Sequence, residues 1–346
     1  MTQARRIIGP FIITCGLLIL ILDSRSAIAG AQEGIQLCIR TLIPSLFPFF
    51  VVCGYFCQIF SKHRLPFLTP ILRLCRIPDG AASIFVIGML GGYPVGAKAI
   101  ADSHKKGQLQ LKDAQRMLGF CNNAGPAFVF GIIGGLFHNK IIPWILMLIL
   151  MLSAIITGWL LPGQINSHVQ TGLQSASFKE IFDSSIKAIA SVCGWVILFR
   201  VVLTLSKRWF LWLLPDILQT VITGILELSN GCFALGNISN DGLRFILGAG
   251  ILSFGGLCVF LQTMSVIGSM GLGLYFPGKI MQCLISLILS GIAQFYIFSE
   301  RNRMQLEVIT VPLLLVLIYI AATKLSYAKK VVAFTGQLMY NTDKKV

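Results

Sequence analysis

Two glycine-marked breaks, Gly88-Met-Leu-Gly-Gly-Tyr-Pro-Val-Gly96 and Cys121-Asn-Asn-Ala-Gly-Pro126, interrupt the most hydrophobic third of the chain. A short charged segment, residues 98–116, lies between them. A helix in lipid has no water to bind its backbone polar groups, so such a break survives only where protein or a wet cavity covers it. Transporters bind their solutes at breaks of this kind. The pattern therefore predicts a polytopic membrane protein that carries a solute.

The composition agrees with a membrane protein and excludes a soluble domain. Of the 346 residues, 55% are hydrophobic and 12% are charged, and the mean hydropathy is +0.81. Soluble domains carry about 25% charged residues. Residues 41–61 and 141–167 contain no charge and are long enough to cross a bilayer. The predicted fold class is all-α, with several crossings.

The charge pattern indicates a lipid bilayer, and not nucleic acid, as the partner of the basic residues. The net charge is +15, from 28 Lys and Arg against 13 Asp and Glu. The basic residues cluster in short segments beside apolar runs, as the positive-inside rule requires. Arg5 and Arg6 precede the first apolar run, and Lys329 and Lys330 belong to a basic tail. We therefore expect both termini on the cytoplasmic side.

The hydropathy pattern divides the chain into six parts. An uncleaved first helix is favoured over a signal peptide, because the expected cleavage motif is absent unless Ala27-Ile-Ala29 serves. The predicted parts are an N-terminal transmembrane helix (1–25), a first repeat with a gate-like re-entrant hairpin (26–162), a polar linker (163–177), a second repeat (178–300), a last transmembrane helix (301–326) and a basic tail (327–346).

The order of segments in the second half matches the order in the first. Gly91-Gly-Tyr-Pro94 corresponds to Glu227-Leu-Ser-Asn-Gly231, and Asn122-Asn-Ala-Gly-Pro126 corresponds to Ser253-Phe-Gly-Gly256. Corresponding breaks in two halves are typical of transporters built from inverted repeats, with the binding site at the repeat interface. We therefore predict that the four breaks meet at one site.

The polar residues at these breaks are the candidate ligands. Glu227 lies in an apolar segment, where a carboxylate is costly unless it faces a cavity, an ion or a proton path; the alternative is a position at the membrane interface. Asn122 and Asn123 precede a helix start, which favours anions or serves as a simple cap. The predicted substrate-binding residues are Tyr93, Asn122, Asn123, Glu227, Asn230, Ser253 and Gln262. The predicted helix-break and hairpin residues are Gly91, Gly92, Pro94, Gly96, Gly125, Pro126, Gly231, Gly255 and Gly256.

No catalytic constellation is apparent. The four histidines lack metal-ligand spacing, and there is no P-loop, dinucleotide-binding glycine set or nucleophile elbow. The ten cysteines lie mostly in apolar segments and are interpreted as small buried hydrophobes. We expect no enzyme activity, no metal and no cofactor, and a secondary or facilitated mechanism of transport.

The four motifs, in their order, resemble the YlbJ family of sporulation integral membrane proteins, also called stage V sporulation protein V. The likeness extends from about residue 31 to residue 298. It rests on Gly91-Gly-Tyr-Pro-Val-Gly-Ala97, Leu118-Gly-Phe-Cys-Asn-Asn-Ala-Gly-Pro-Ala-Phe128, Glu227-Leu-Ser-Asn-Gly231 and Ser253-Phe-Gly-Gly-Leu-Cys-Val259. That family is similar to nucleoside-recognition or gate-domain proteins and, more distantly, to concentrative nucleoside transporters.

The resemblance implies a fold of inverted repeats with re-entrant hairpins. It also implies that the protein moves dipicolinic acid, a small aromatic dicarboxylate, across the outer forespore membrane during spore formation. The alternatives are a nucleoside-type transporter and a non-transporting scaffold of a sporulation membrane complex. Self-association and association with sporulation membrane partners both stay open at this stage.

Overall fold

The computed structural model describes Thr14 and residues 16–61, 66–78, 81–163 and 177–298. These described parts are helical and contain no strand, which confirms the all-α prediction. The chain forms two compact units, residues 1–290 and 291–346, and the described part of the second is residues 291–298. The predicted last transmembrane helix, the basic tail and most of the predicted first helix lie outside the described residues.

Five described segments are long and apolar enough to cross a membrane. They are Ser24–Val52, Ile142–Leu160, Phe178–Trp209, Asp241–Met270 and Tyr275–Phe298. In chain order the α-helices are α1 (Ser24–Leu37), α2 (Ile43–Ser61), α3 (Thr69–Leu74), α4 (Ala82–Leu90), α5 (Val95–Lys105), α6 (Leu111–Leu118), α7 (Pro126–Gly131), α8 (Ile142–Leu160), α9 (Phe178–Trp209), α10 (Asp216–Leu226), α11 (Leu228–Ala234), α12 (Asp241–Phe254), α13 (Gly256–Ile267) and α14 (Tyr275–Phe298).

Helix α1 packs closely along α9 because it presents glycines to it. A Cβ atom at Gly30 would lie 2.8 Å from Thr204 Oγ1, and a Cβ atom at Gly34 would lie 2.9 Å from Ile197 Cα. Small residues allow this close approach of helix backbones in membranes. A π-helical turn, Cys38–Leu42, then carries α1 directly into α2. The two helices α1 and α2 therefore form one long element beside α9.

The first predicted hairpin break separates α4 from α5. Gly91 ends α4, Gly92 adopts a φ of +75°, and the Tyr93-Pro94 peptide bond is cis. The two short helices touch at Gly88 and Gly96, where a Cβ atom on Gly96 would lie 3.0 Å from Gly88 Cα. Gly96 itself lies in the first turn of α5, so its role is helix contact and the break ends at Pro94.

The second half also has two breaks, one of which differs from the prediction. Helix α10 ends at Leu226 and α11 begins at Leu228, so this break is at Glu227. The prediction that Gly231 is a break residue is wrong: Gly231 lies inside α11 and packs against Gly224 of α10. The reason is that the Glu227 side chain caps α11 and starts the helix earlier. Gly255 and Gly256, with φ of +82° and +83°, separate α12 from α13.

A buried arginine fixes the short helices of the first half to α8. Arg116 of α6 is 4% exposed and donates hydrogen bonds to the carbonyl oxygens of Cys75 (2.7 Å), Gly158 (2.5 Å) and Leu161 (3.4 Å). These carbonyls belong to the ends of α3 and α8, where helices leave acceptors unsatisfied. Burial lowers the pKa of Arg116 below its usual value. The residue is thus a structural cation and keeps the hairpin region in place.

Candidate functional site

The four breaks meet around one small buried cavity, the central cavity. Its lining includes residues 91–93 and 124–125 from the first half and residues 227–229 from the second. Val259 and Gln262 of α13 line it beyond the Gly255-Gly256 break, and α2 and α9 contribute walls. The volume is about 30 Å³, room for about one water molecule. The fourth break does not line the cavity, but Gly255 packs against Tyr93 and Gly256 packs against the backbone of Glu227. The structure therefore brings the four predicted stretches together.

Glu227 is both a cavity residue and a helix cap. It is 1% exposed, and its carboxylate accepts hydrogen bonds from Ser229 N (2.8 Å), Asn230 N (2.6 Å) and Asn230 Nδ2 (2.7 Å). A carboxylate at a helix start satisfies backbone donors that have no partner in the helix. The burial of Glu227 is therefore explained by its role as the cap of α11.

A buried lysine connects the first two breaks to α14. Lys279 is 1% exposed, and its Nζ donates to Tyr93 Oη (3.3 Å), Asn123 Oδ1 (3.1 Å) and Gln282 Oε1 (2.8 Å). Nζ also lies 5.2 Å from the centre of the Tyr93 ring. Tyr93 lines the central cavity. Tyr93 therefore contacts both the cavity and the lysine.

The other predicted site residues lie around the cavity and hold its parts together. Asn122 donates to Thr263 Oγ1 of α13 (3.0 Å) and accepts from Ala97 N of α5 (3.3 Å). Ser253 Oγ donates to the carbonyls of Ala249 and Gly250 within its own helix. Of the predicted substrate-binding residues, the structure places Tyr93, Glu227 and Gln262 on the cavity wall and places Asn122, Asn123, Asn230 and Ser253 outside it.

Two wider cavities lie near the central cavity. The basic cavity, about 540 Å³, is lined by Lys98, Lys105 and Lys187 with Asp102 and Glu180. The arginine cavity, about 380 Å³, is lined among others by Arg40, Arg200, Glu33 and Asn230. Phe50 lines both the basic and the central cavity.

Asn230 connects the arginine cavity to the central one. Its Oδ1 accepts from Arg200 (2.6 Å), which also forms an ion pair with Glu33 (2.7 Å). Asn230 Nδ2 donates to Glu227, which lines the central cavity. A continuous polar chain therefore runs from α1 through α9 to the break at Glu227.

The sequence interpretation did not select Lys279 or Gln282, although a signal for them exists. Lys279, Gln282, Ser286 and Ser290 follow one another at three- and four-residue spacing in α14, and all four are buried. Such spacing marks one face of a helix. A polar face on an apolar helix indicates that it faces protein and not lipid. Within the described parts of the chain, no cluster of three or more His, Cys, Asp and Glu could hold a metal ion.

An apolar, all-helical chain whose broken helices meet at a buried polar cavity defines a polytopic integral membrane protein. Over 121 residues the chain is 30% identical to the sporulation integral membrane protein YlbJ of Bacillus subtilis (strain 168). The match covers 33% of this chain and spans 29% of that relative's length. The matched third of the chain is thus similar to an integral membrane protein of sporulation. No family model and no solved structure matches the chain.

Proposed function

We propose that the protein is a secondary or facilitated transporter of a small anionic aromatic solute, dipicolinic acid, at the outer forespore membrane during spore formation. The observation that carries the proposal is the meeting of the breaks around the central cavity, three of them in its wall and the fourth packed against Tyr93 and Glu227. Broken helices expose backbone groups that a solute can bind, and only protein or a cavity can cover them in lipid. We choose dipicolinic acid as the solute because the relative is a sporulation protein.

The order of the cavities along α9 supports a path through the protein. Residues 180–191 of this helix contribute to the basic cavity, Val192 and Val196 line the central cavity, and Arg200 lines the arginine cavity. A helix rises about 1.5 Å per residue, so these three groups follow one another along its axis. The central cavity therefore lies between the two wider ones.

The element formed by α1 and α2 gives the same order independently. Residues 33–41 contribute to the arginine cavity, Leu46 and Phe49 line the central cavity, and Gly54 lines the basic cavity. This order is opposite to that along α9, as expected for two antiparallel neighbours. A narrow centre between two wider cavities agrees with transport by alternating access.

The test is uptake of labelled dipicolinate and labelled uridine into proteoliposomes that contain the purified full chain. We expect dipicolinate uptake well above that of empty liposomes and above uridine uptake. Preferential uridine uptake would favour a nucleoside-type transporter. Leak-level uptake of both solutes would favour a scaffold and contradict the proposal.

A pair of variants on α9 provides the matched control. Val196 is 1% exposed and lines the central cavity, so Val196→Trp should fill it and abolish uptake. Leu198 is 53% exposed, so Leu198→Trp should leave uptake unchanged. Equal uptake by the two variants would show that the solute does not pass through this cavity.

A further inference from the structure

Three oxygen acceptors surround the amine nitrogen of Lys279. Tyr93 Oη donates to the carbonyl oxygen of Leu252 (3.3 Å), so it offers only lone pairs to Lys279. Asn123 Nδ2 donates to the carbonyl of Phe120 (2.8 Å), so its Oδ1 is directed at Lys279. An ammonium group has three donors and no acceptor, and it faces three acceptors here.

Gln282 completes this arrangement. Its Nε2 donates to Asn123 Oδ1 (2.8 Å), which leaves Oε1 as the acceptor for Lys279 (2.8 Å). The amide orientations of Asn123 and Gln282 are therefore mutually fixed. Asn123 Oδ1 therefore accepts from both Gln282 and Lys279, and Lys279 Nζ is the donor that all three oxygens share. The network consequently fixes the position of Lys279 Nζ.

This buried cation has only neutral groups in its hydrogen-bonding shell. Its three partners are a hydroxyl and two amides, and none of the ion pairs among the described residues includes Lys279. A buried charge without a counter-charge is strongly unfavourable. The buried carboxylate of the site, Glu227, already accepts from three N–H groups at the start of α11.

We propose that Lys279 is the built-in cation of the site and supplies the counter-charge for a carboxylate solute. This inference rests on the proposed function and specifies its ligand chemistry. Because Lys279 supplies this charge, we expect transport without added Na⁺.

Tyr93 is the side chain through which a bound solute and Lys279 would interact. It lines the central cavity and accepts a hydrogen bond from Lys279. We therefore expect a carboxylate that binds in the widened cavity to attract the ammonium of Lys279 across the Tyr93 ring. Electrostatic attraction between two charged groups is stronger where water is excluded.

The experiment measures dipicolinate uptake and binding by the full chain, with and without Na⁺, for the wild type and Lys279→Met. We expect wild-type uptake to be equal in Na⁺ and in choline buffers. We expect Lys279→Met to weaken dipicolinate binding by roughly tenfold or more, the effect of one lost charge-assisted contact. Lys279→Arg should retain part of the binding, and Lys140→Met, an exposed lysine, should bind like the wild type.

Measurements of the Tm in detergent with dipicolinate, benzoate or neutral uridine can distinguish a failure of this inference from a failure of the proposed function. We expect both carboxylates to raise the wild-type Tm and to leave the Lys279→Met Tm unchanged, with Lys279→Gln as the substitute if the Met variant does not fold. If this pattern holds without any uptake, the transport proposal fails and the Lys279 inference stands. A Na⁺ requirement, no Tm shift of the wild type by carboxylates, or wild-type binding by the Met and Gln variants would overturn the inference.

Discussion

Two buried charged residues at the breaks have different roles, which their hydrogen bonds reveal. Glu227 accepts three hydrogen bonds from N–H donors at the start of α11, so its charge is satisfied by its own chain segment. Lys279 donates to residues of two distant breaks and to Gln282. Glu227 therefore stabilises a local bend, whereas Lys279 connects separate parts of the fold.

We predict that Glu227→Gln destabilises the protein. The amide of Gln has one acceptor oxygen in place of two, so its NH₂ group would face the backbone N–H of either Ser229 or Asn230 and leave that buried donor without an acceptor. The expected loss is about 1–3 kcal/mol of unfolding free energy, measurable as a lower Tm in detergent. Glu180→Gln is the matched control, because Gln can complete the capping box of α9 as Glu does. Equal Tm values for the two variants would contradict the capping role of Glu227.

Sequence reasoning found Glu227 and overlooked Lys279 for a physical reason. Glu227 is isolated in an apolar run, so the free-energy cost of burying its charge can be inferred from the neighbouring residues. Lys279 follows Pro277-Gly278 near the start of α14 and looks like a basic flank of a span. Its burial depends on contacts with Tyr93 and Asn123, more than 150 positions away along the chain. A local sequence pattern does not show contacts between residues so far apart along the chain.

At the scale of the helices, the breaks themselves were predictable, since Gly, Pro and Asn are conspicuous in an apolar chain. The residues at which the breaks end were less predictable, because a glycine can mark either a bend or a close contact between helices. Gly231 and Gly96 proved to be contact glycines inside α11 and α5. The relation of the two halves by inverted symmetry stays a prediction.

We predict that the contact between α4 and the second break does not tolerate a methyl group. A Cβ atom at Gly88 would overlap the carbonyl oxygen of Cys121, which is backbone and cannot move aside cheaply. Gly88→Ala should therefore lower the Tm by several degrees or prevent folding. Gly194→Ala in α9 is the control, because nothing lies within 4 Å of its added Cβ and Ala favours a helix. A Gly88→Ala protein as stable as the Gly194→Ala protein would contradict this packing.

At the scale of the whole molecule, the arrangement of three cavities lay beyond sequence reasoning. The pattern predicted that four breaks would meet, but the volume left between them depends on how α2 and α9 pack over them. Residues such as Phe50 and Val196 look like ordinary core positions in the sequence. Their position between cavities is visible only in the folded chain.

We predict that Phe50 controls passage between the basic and the central cavity. Phe50→Ala removes a ring that lines both cavities, so the two should join and the solute should pass more freely on that side. We expect faster dipicolinate exchange across proteoliposomes for this variant. Phe47→Ala is the control, since Phe47 packs edge-to-face against Phe182, with 5.6 Å between the ring centres, and lines none of these cavities. Unchanged exchange in Phe50→Ala would contradict the gating role.

The small central cavity has a consequence for measurements of affinity. A space of about 30 Å³ does not hold an aromatic dicarboxylate, so the solute binds only the fraction of molecules that have opened. If opening costs about 2.7 kcal/mol, about 1% of molecules are competent and the apparent dissociation constant is about 100-fold weaker than the intrinsic one. Variants that ease opening should then seem to bind more tightly without any new contact to the solute.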